Sequence, residues 1–408
     1  EHLFETIKEC RGVNEALVQF RSETRAWLAE NCPVGARGPG EVHSGSTKVV
    51  FQPDTQRWLQ VMAERGWTVP QWPKAYGGAD LSLAETQILY EEMQAIDARP
   101  PLMNMGTRML GPTLLEHGTE DQKQRHLTLI AKGGAAWCQG YSEPGAGSDL
   151  AALNTKAVLH GDHFQIDGQK IWTSGAQYAD WMFCLVRTDP SVPKHQGISF
   201  VLLPMDQPGV TIKPIQLISG SSPFCETFLD GALAEKRDLV GTLNEGWGIG
   251  KRLLQHERSG QGGLGPSAGR SRPVGVTVDL DLTDLLRRYG SDPVQTASQR
   301  DEVIQWQLRI RAFSLTQRRM GEEARGGAAP GAATSMFKLY GASLAQDKQA
   351  LTADLMGSQG MGWEAAGFSS EELGATRSWL ASRAVTIYGG TNEVQANIIA
   401  KRVLGLPD

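Results

Sequence analysis

The sequence predicts an α+β multidomain chain: a helical N-terminal domain over 1–132, a middle antiparallel β-barrel over 133–242 and a C-terminal four-helix-bundle domain over 243–408. Three observations carry this. The chain has 408 residues, 40% of them hydrophobic, enough for two or three cooperating units around a large core. Apolar residues recur at three- and four-residue spacing in its first and last thirds. Between them lie short segments rich in Val, Ile, Phe and Thr, punctuated by turns.

The elements follow in order. Val18, Phe20, Trp27 and Leu28 mark one helix. Trp58, Val61 and Met62 mark a second, stopped by Gly66, and Leu83, Ile88, Leu89, Met93 and Ile96 a third, ending before Pro100-Pro101. Residues 111–131 read as a helix pair broken at Gly118-Thr119. In the middle, turns at Gly161-Asp162 and Asp167-Gly168 frame a hairpin arm, Phe164-Gln165-Ile166. Trp181 to Arg187, Ile198 to Pro204 and Val210 to Ile215 are further strands. Helices return from Trp247 to Glu257, through Val303, Trp306, Leu308, Ile310 and Phe313, then over 335–356 and 377–404. The Gly- and Ser-rich stretch Ser259 to Gly275 reads as a flexible break.

Composition excludes several classes. The 47 glycines follow no Gly-X-Y period, so they are local devices rather than a collagen or low-complexity signal. Forty Lys+Arg against 45 Asp+Glu leave a net charge of −5 with no basic stripe, which argues against nucleic acid. The longest apolar run, Trp181 to Val186, is far short of the ~20 residues of a membrane helix. Five cysteines without a CxxC pair suggest neither a disulfide framework nor a zinc site. The start lacks a signal-peptide pattern, and the expectation is a cytoplasmic protein of bacterial type, or a mitochondrial-matrix protein if eukaryotic.

Three segments carry chemistry. In Tyr141-Ser-Glu-Pro-Gly-Ala-Gly-Ser-Asp149, Gly145 and Gly147 let the backbone approach a ligand, and Ser142 and Ser148 add hydroxyls. The same residues also read as an ordinary Pro-Gly turn. In Gly168-Gln-Lys-Ile-Trp-Thr-Ser-Gly175, Trp172 offers a flat apolar face beside two hydroxyls, which suits an isoalloxazine ring or simply a barrel tryptophan before a turn. In Thr386-Ile-Tyr-Gly-Gly-Thr-Asn-Glu-Val-Gln395, the glycines ahead of Thr391 can expose N–H groups to oxygen atoms, or Thr391 is a helix cap.

Together, and in this order, these segments resemble the acyl-CoA dehydrogenase family of flavoproteins over nearly the whole chain. Gln139 to Asp149 resembles its first signature, Gln169 to Ser174 its flavin-flanking strand and Ile387 to Gln395 its second signature. The resemblance implies FAD held between the barrel and the C-terminal helices. Gln139 and Gly147 fall within the cofactor-binding segment, Ser142 and Ser174 at positions that bond the flavin ring, and Trp172 against its face. Ser148 falls near the pyrophosphate and the acyl-CoA, and Thr391 and Glu393 near the adenine side. The flavin carries the redox chemistry while the protein supplies position and electrostatics.

The resemblance implies α,β-dehydrogenation of an acyl-CoA thioester to the trans-2-enoyl-CoA, with the β-hydride passing to flavin N5. A carboxylate must take the α-proton while hydrogen bonds stabilise the enolate. In many members that carboxylate follows the Tyr of the second signature, here Tyr388, but the position is Gly389. A subset places it on a C-terminal-domain helix, and Leu253-Leu-Gln-His-Glu-Arg258 matches that place. Glu257 is therefore the expected base, its alternative being a solvated helix glutamate. Gly389 is expected to offer its backbone N–H to the thioester carbonyl. Arg258, Tyr388, Gly389 and Ser148 are the expected substrate contacts. His256 points about 100° away and receives no role. Met103, Met105, Met109 and Leu110 read as core or as an acyl pocket.

The expected electron acceptor is an electron-transfer flavoprotein and the expected assembly a homodimer or homotetramer. The family's Arg before Phe-Gly, which clamps a neighbouring subunit's FAD, would here be Leu286, ahead of Tyr289-Gly290. Rival readings keep the fold with another flavin reaction (monooxygenase, nitroalkane oxidase or acyl-CoA desulfinase) or make it a non-enzymatic DNA-binding or scaffold protein.

Overall fold

A computed structural model describes residues 2–260, 276, 278–290, 293–325, 334–364 and 366–407, with side chains from 15 onward except 258–260, 293–295, 321–325 and 334. The expected break therefore lies largely outside the described residues. They form two compact units, one of residues 2–213 and 225–260, the other of 214–224 and 276–407.

The first unit opens with helices α1 (His2–Asn31), α2 (Pro53–Glu64) and α3 (Leu83–Ala95). Leu28, Trp58, Met62, Trp67, Leu89 and Met93 close their core. Gly66 ends α2 in a left-handed turn, φ +70°, and Ser82 with Glu85 forms a capping box at α3. Then come α4 (Gly111–His117), α5 (Glu120–Gln122) and α6 (Thr128–Ala131), with Thr119 capping the restart after Gly118.

Eight strands follow: β1 (Trp137–Gly140), β2 (Lys156–His160), β3 (His163–Ser174), β4 (Trp181–Arg187), β5 (Ile198–Pro204), β6 (Val210–Ile215), β7 (Phe224–Glu235) and β8 (Leu239–Val240). Their order is β6-β7-β3-β2-β4-β5-β8, with β1 beside β4. The sheet is mixed rather than wholly antiparallel, because β1 and β2 each pair with β4 in parallel. The run Trp181 to Val186 is continuously apolar because β4 is buried on both faces. Phe183 and Leu185 join Phe200, Leu202, Leu114 and Leu127 in one core. Met182, Cys184 and Val186 join Phe164, Ile166, Val201 and Leu229 in the other. Each such side chain contributes about 1.5–3 kcal/mol by leaving water.

Helix α7 (Gly246–Gly260) lies on the first of these cores through Ile249 and Leu253. Met109 and Leu110 are buried in that core too, with Met105 packed against it, so these residues serve packing.

The second unit holds α8 (Leu282–Tyr289), α9 (Pro293–Arg325), α10 (Thr334–Met356), α11 (Ser370–Ser382) and α12 (Asn392–Ile398). Helix α10 packs against the other four, around Leu282, Leu285, Val303, Leu351 and Leu355. The expected helical stretch 377–404 is interrupted between α11 and α12, where Gly389 and Gly390 are both left-handed. Among the described residues no helix is long and apolar enough to cross a membrane.

Candidate active site

The first segment stands on a rigid base. At Gly140, a Cβ would strike the Met182 sulfur, so only glycine lets β1 lie this close to β4. Gln139 is half-buried in register with Phe183. Tyr141 is buried edge-on to Phe183 and Phe200. The Ser142 carbonyl accepts from the Ile171 N–H at 2.9 Å, tying the segment to β3. Glu143 and Ala146 exchange two backbone hydrogen bonds, 3.1 and 3.0 Å, closing a turn over Pro144-Gly145.

Beneath that turn sits a buried ion pair. The Lys170 ammonium, wholly shielded from solvent, donates to Glu143 Oε1 at 2.8 Å, to the Tyr141 carbonyl at 3.1 Å and to the Leu185 carbonyl at 2.8 Å. The Glu143 carboxylate also accepts from the N–H groups of Asn154 and Thr155 at 2.6 and 2.9 Å. Burial alone would raise its pKa, yet Lys170 and these hydrogen bonds hold it below the usual carboxylate range. Above this base Gly145, Gly147 and Ser148 are exposed, and neither glycine has any atom within 4 Å of where a Cβ would stand.

Strand β3 ends in an unusual conformation. Trp172 has φ +59° and remains 53% exposed. A left-handed backbone costs a bulky residue on the order of 1–3 kcal/mol, and an exposed indole forgoes burial as well. Next to it Thr173 is fully buried with its hydroxyl lacking a hydrogen-bond partner. Ser174 is half-buried, and Gly175 is left-handed, φ +64°. The geometry offers a flat apolar wall with hydroxyls alongside.

On α7, Gly246, Ile249, Gly250, Leu253 and Glu257 share one face, as their three- and four-residue spacing requires. A Cβ on Gly246 would collide with the backbone of Ser199 and Phe200. One on Gly250 would stand 3.1 Å from a Leu185 methyl and 3.4 Å from the Tyr141 hydroxyl. The helix thus rests directly on the sheet, and Glu257 follows one turn after buried Leu253, itself half-buried. The Tyr141 hydroxyl donates to the Gly250 carbonyl at 3.4 Å. Its pKa is pushed well above the ordinary tyrosine value, first by burial and then by the Glu257 charge. The Glu257 charge is thus felt at the first signature through Tyr141. His256 faces elsewhere, 3.3 Å from Glu116 on α4, which also takes a bidentate pair from Arg252 at 2.7 and 2.6 Å. Burial pulls the His256 pKa down, although Glu116 opposes this. The Arg258 side chain lies outside the described residues.

In the second unit, Gly389 is exposed with φ +67° and Gly390 has φ +89°. Tyr388 is half-buried. Thr391 caps α12, its hydroxyl accepting from the Val394 N–H at 3.2 Å. Exposed Glu393 lies in the first turn, its carboxyl held below the usual range by its own amide and the Thr391 hydroxyl.

Models of the acyl-CoA dehydrogenase N-terminal, middle and C-terminal domains match residues 14–134, 138–232 and 244–404. Acyl-CoA dehydrogenase IpdE1 of Mycobacterium tuberculosis (strain ATCC 25618 / H37Rv) is 38% identical over 403 residues, spanning 95% of this chain and 97% of its own. The chain belongs to the acyl-CoA dehydrogenase family. A solved structure described as the Tcur3481-Tcur3483 steroid ACAD is 31% identical with a TM-score of 0.73, covering 96% of this chain and 98% of that one. The ChsE4-ChsE5 complex from Mycobacterium tuberculosis is 27% identical with a TM-score of 0.66, covering 96% and 98%.

This acyl-CoA dehydrogenase is an FAD-dependent oxidoreductase acting on acyl-CoA, with a place in fatty-acid and lipid metabolism. The first unit's residues fit such a cofactor. The strained, half-exposed Trp172 ring, the orphaned Thr173 hydroxyl and the open glycines 145 and 147 are what a flat ring carrying polar edges and phosphates would need. Four residues of this dehydrogenase received no role from sequence reasoning: Glu143, Lys170, Lys338 and Gln395. Lys170 left a signal, because it falls in phase with inward-facing Phe164 and Ile166 on β3. The others show their partners only once the chain is folded.

Proposed function

We propose that this dehydrogenase converts an acyl-CoA to its trans-2-enoyl-CoA, with Glu257 as the base that takes the α-proton. The observation that carries this is the half-buried carboxylate on the sheet-facing side of α7, one turn after buried Leu253, while Gly389 brings no carboxylate to the second signature. A carboxylate is the group suited to take the α-proton of a thioester whose enolate is stabilised by hydrogen bonds. The Gly389 N–H is assigned to the thioester carbonyl, where it would stabilise the enolate as the α-proton leaves. FAD, when bound, supplies the acceptor for the β-hydride at N5. Trp172 would lie against its ring, with Ser142, Ser174 and Gln139 bonding its polar edge. Gly147 and Ser148 would hold its phosphates, and Thr391 and Glu393 its adenine side. Ser148, Arg258 and Tyr388 would contact the acyl-CoA.

Support for a bulky, ring-bearing acyl group comes from likeness to a structure described as a steroid ACAD. Electrons would leave through an electron-transfer flavoprotein. The test is anaerobic flavin bleaching by straight, branched and ring-bearing acyl-CoAs. Glu257→Gln should slow bleaching by about 10²–10⁴-fold; bleaching at full rate would overturn the assignment. Assembly as a homodimer or homotetramer is tested by light scattering of the chain alone. Isolation only in a complex with a second, different chain would overturn it.

A further inference from the structure

The turn that carries Gly389 is gripped from both sides by side chains with no part in the reaction as described. From α10, Lys338 donates its Nζ to the Val385 carbonyl at 2.6 Å. The same ammonium stands 5.8 Å from the centre of the Tyr388 ring, within range of a cation–π attraction. Its Cε lies 3.3 Å from where a side chain on residue 389 would begin. From α12, Gln395 donates its Nε2 to the carbonyls of Gly389 and Gly390 at 3.3 and 3.5 Å. That nitrogen is 2.5 Å from the place of a Cβ on Gly390, so glycine there is what admits the amide.

Two features mark these contacts as more than packing. Gly389 and Gly390 are consecutive left-handed residues, a conformation a free glycine pair would leave for many others. Gln395 is 2% exposed, yet its Oε1 has no hydrogen-bond partner. A leucine would fill that volume without leaving a buried acceptor unpaired. The peptide joining Tyr388 to Gly389 lies between the two grips, and because peptides are planar, holding its flanks fixes where the Gly389 N–H points.

We propose that Lys338 and Gln395 are positioning residues that hold the Tyr388–Gly390 peptides so that the Gly389 N–H stays directed at the acyl thioester carbonyl. This rests on the reaction proposed above.

The test uses the FAD-loaded full chain and the variants Lys338→Met, Lys338→Arg and Gln395→Leu. Hydrogen–deuterium exchange should rise about tenfold over residues 384–396 in the Met and Leu variants, with exchange in α8 and over 340–356 unchanged. Flavin reduction by the most active acyl-CoA of the panel should fall about 10–100-fold. Lys338→Arg, which keeps a donor and a cation, should recover most of both. Gln395→Leu should melt no lower than the unchanged protein while reacting more slowly, a combination that loss of mere packing would not give. Unchanged exchange over 384–396, an unimpaired reduction rate, or an Arg variant as poor as the Met variant would each overturn the proposal. Full-rate reduction in Glu257→Gln would instead overturn the base assignment and leave the exchange result standing.

Discussion

Two glycine-bearing segments of this dehydrogenase are secured by different means. Residues 139–149 sit on an ammonium cut off from water and shared among three oxygens. Residues 385–390 are held by a half-buried lysine, 2.6 Å from one carbonyl, and by a neutral amide through longer bonds of 3.3 and 3.5 Å. A buried charge tolerates no loosening, since any opening strands it in apolar surroundings. A half-buried ammonium keeps some access to water and long amide bonds are weak, so this turn allows small adjustments at small cost. The first segment is thus locked and the second only restrained.

The largest effect should come from breaking the lock. Lys170→Met leaves the Glu143 carboxylate buried and unpaired and should cost about 3–5 kcal/mol, measured by denaturant unfolding of the FAD-loaded protein. The same pair makes an acid-side prediction. Glu143 is held below its ordinary pKa, so its stabilisation is complete above the unfolded-state value of about 4.3 and is lost as pH falls through the folded one. Unfolding free energy measured downward from pH 6 should therefore fall more steeply below about pH 4 in the unchanged protein than in Glu143→Gln. An equal slope would mean that the pair carries no linked proton.

Gly246→Ala tests the bed beneath α7. Its new carbon meets backbone rather than a flexible side chain, so it should destabilise by about 1–3 kcal/mol and slow flavin reduction by displacing Glu257. The smallest effect belongs to the restrained segment. Thr391→Ala removes the α12 cap at about 1 kcal/mol, and a thermal melt should find it far milder than Lys170→Met. A reversal of that order would undo the contrast between the two segments.

Much of the fold is legible where patterns are strong. Strands β4, β5 and β6 fall where their apolar and β-branched runs place them, and α3 ends where its spacing does. Strand β7 left no comparable trace. Its inward residues are Cys225, Thr227, Leu229, Ala232 and Ala234, mostly small, and left-handed Gly231 shifts the alternation by one residue midway. The break inside 377–404 turns on two glycines whose conformation no periodicity reports. For the site, Glu257 read from its neighbours alone is an ordinary helix glutamate, and the resemblance singled it out. Its spacing from Ile249 and Leu253 was nonetheless visible, and that spacing turns it toward the sheet. Lys338 and Gln395 lay beyond reach, because their partners are carbonyls, which every residue has.

The bare contact of α7 with the sheet has a practical consequence. Gly246 and Gly250 act as spacers of zero thickness, setting how high the helix rides. A methyl at either raises it from below, and with it the carboxylate two or three turns along. The reach of the base could then be graded in small steps, at positions an engineer can change without altering any group that touches the acyl chain.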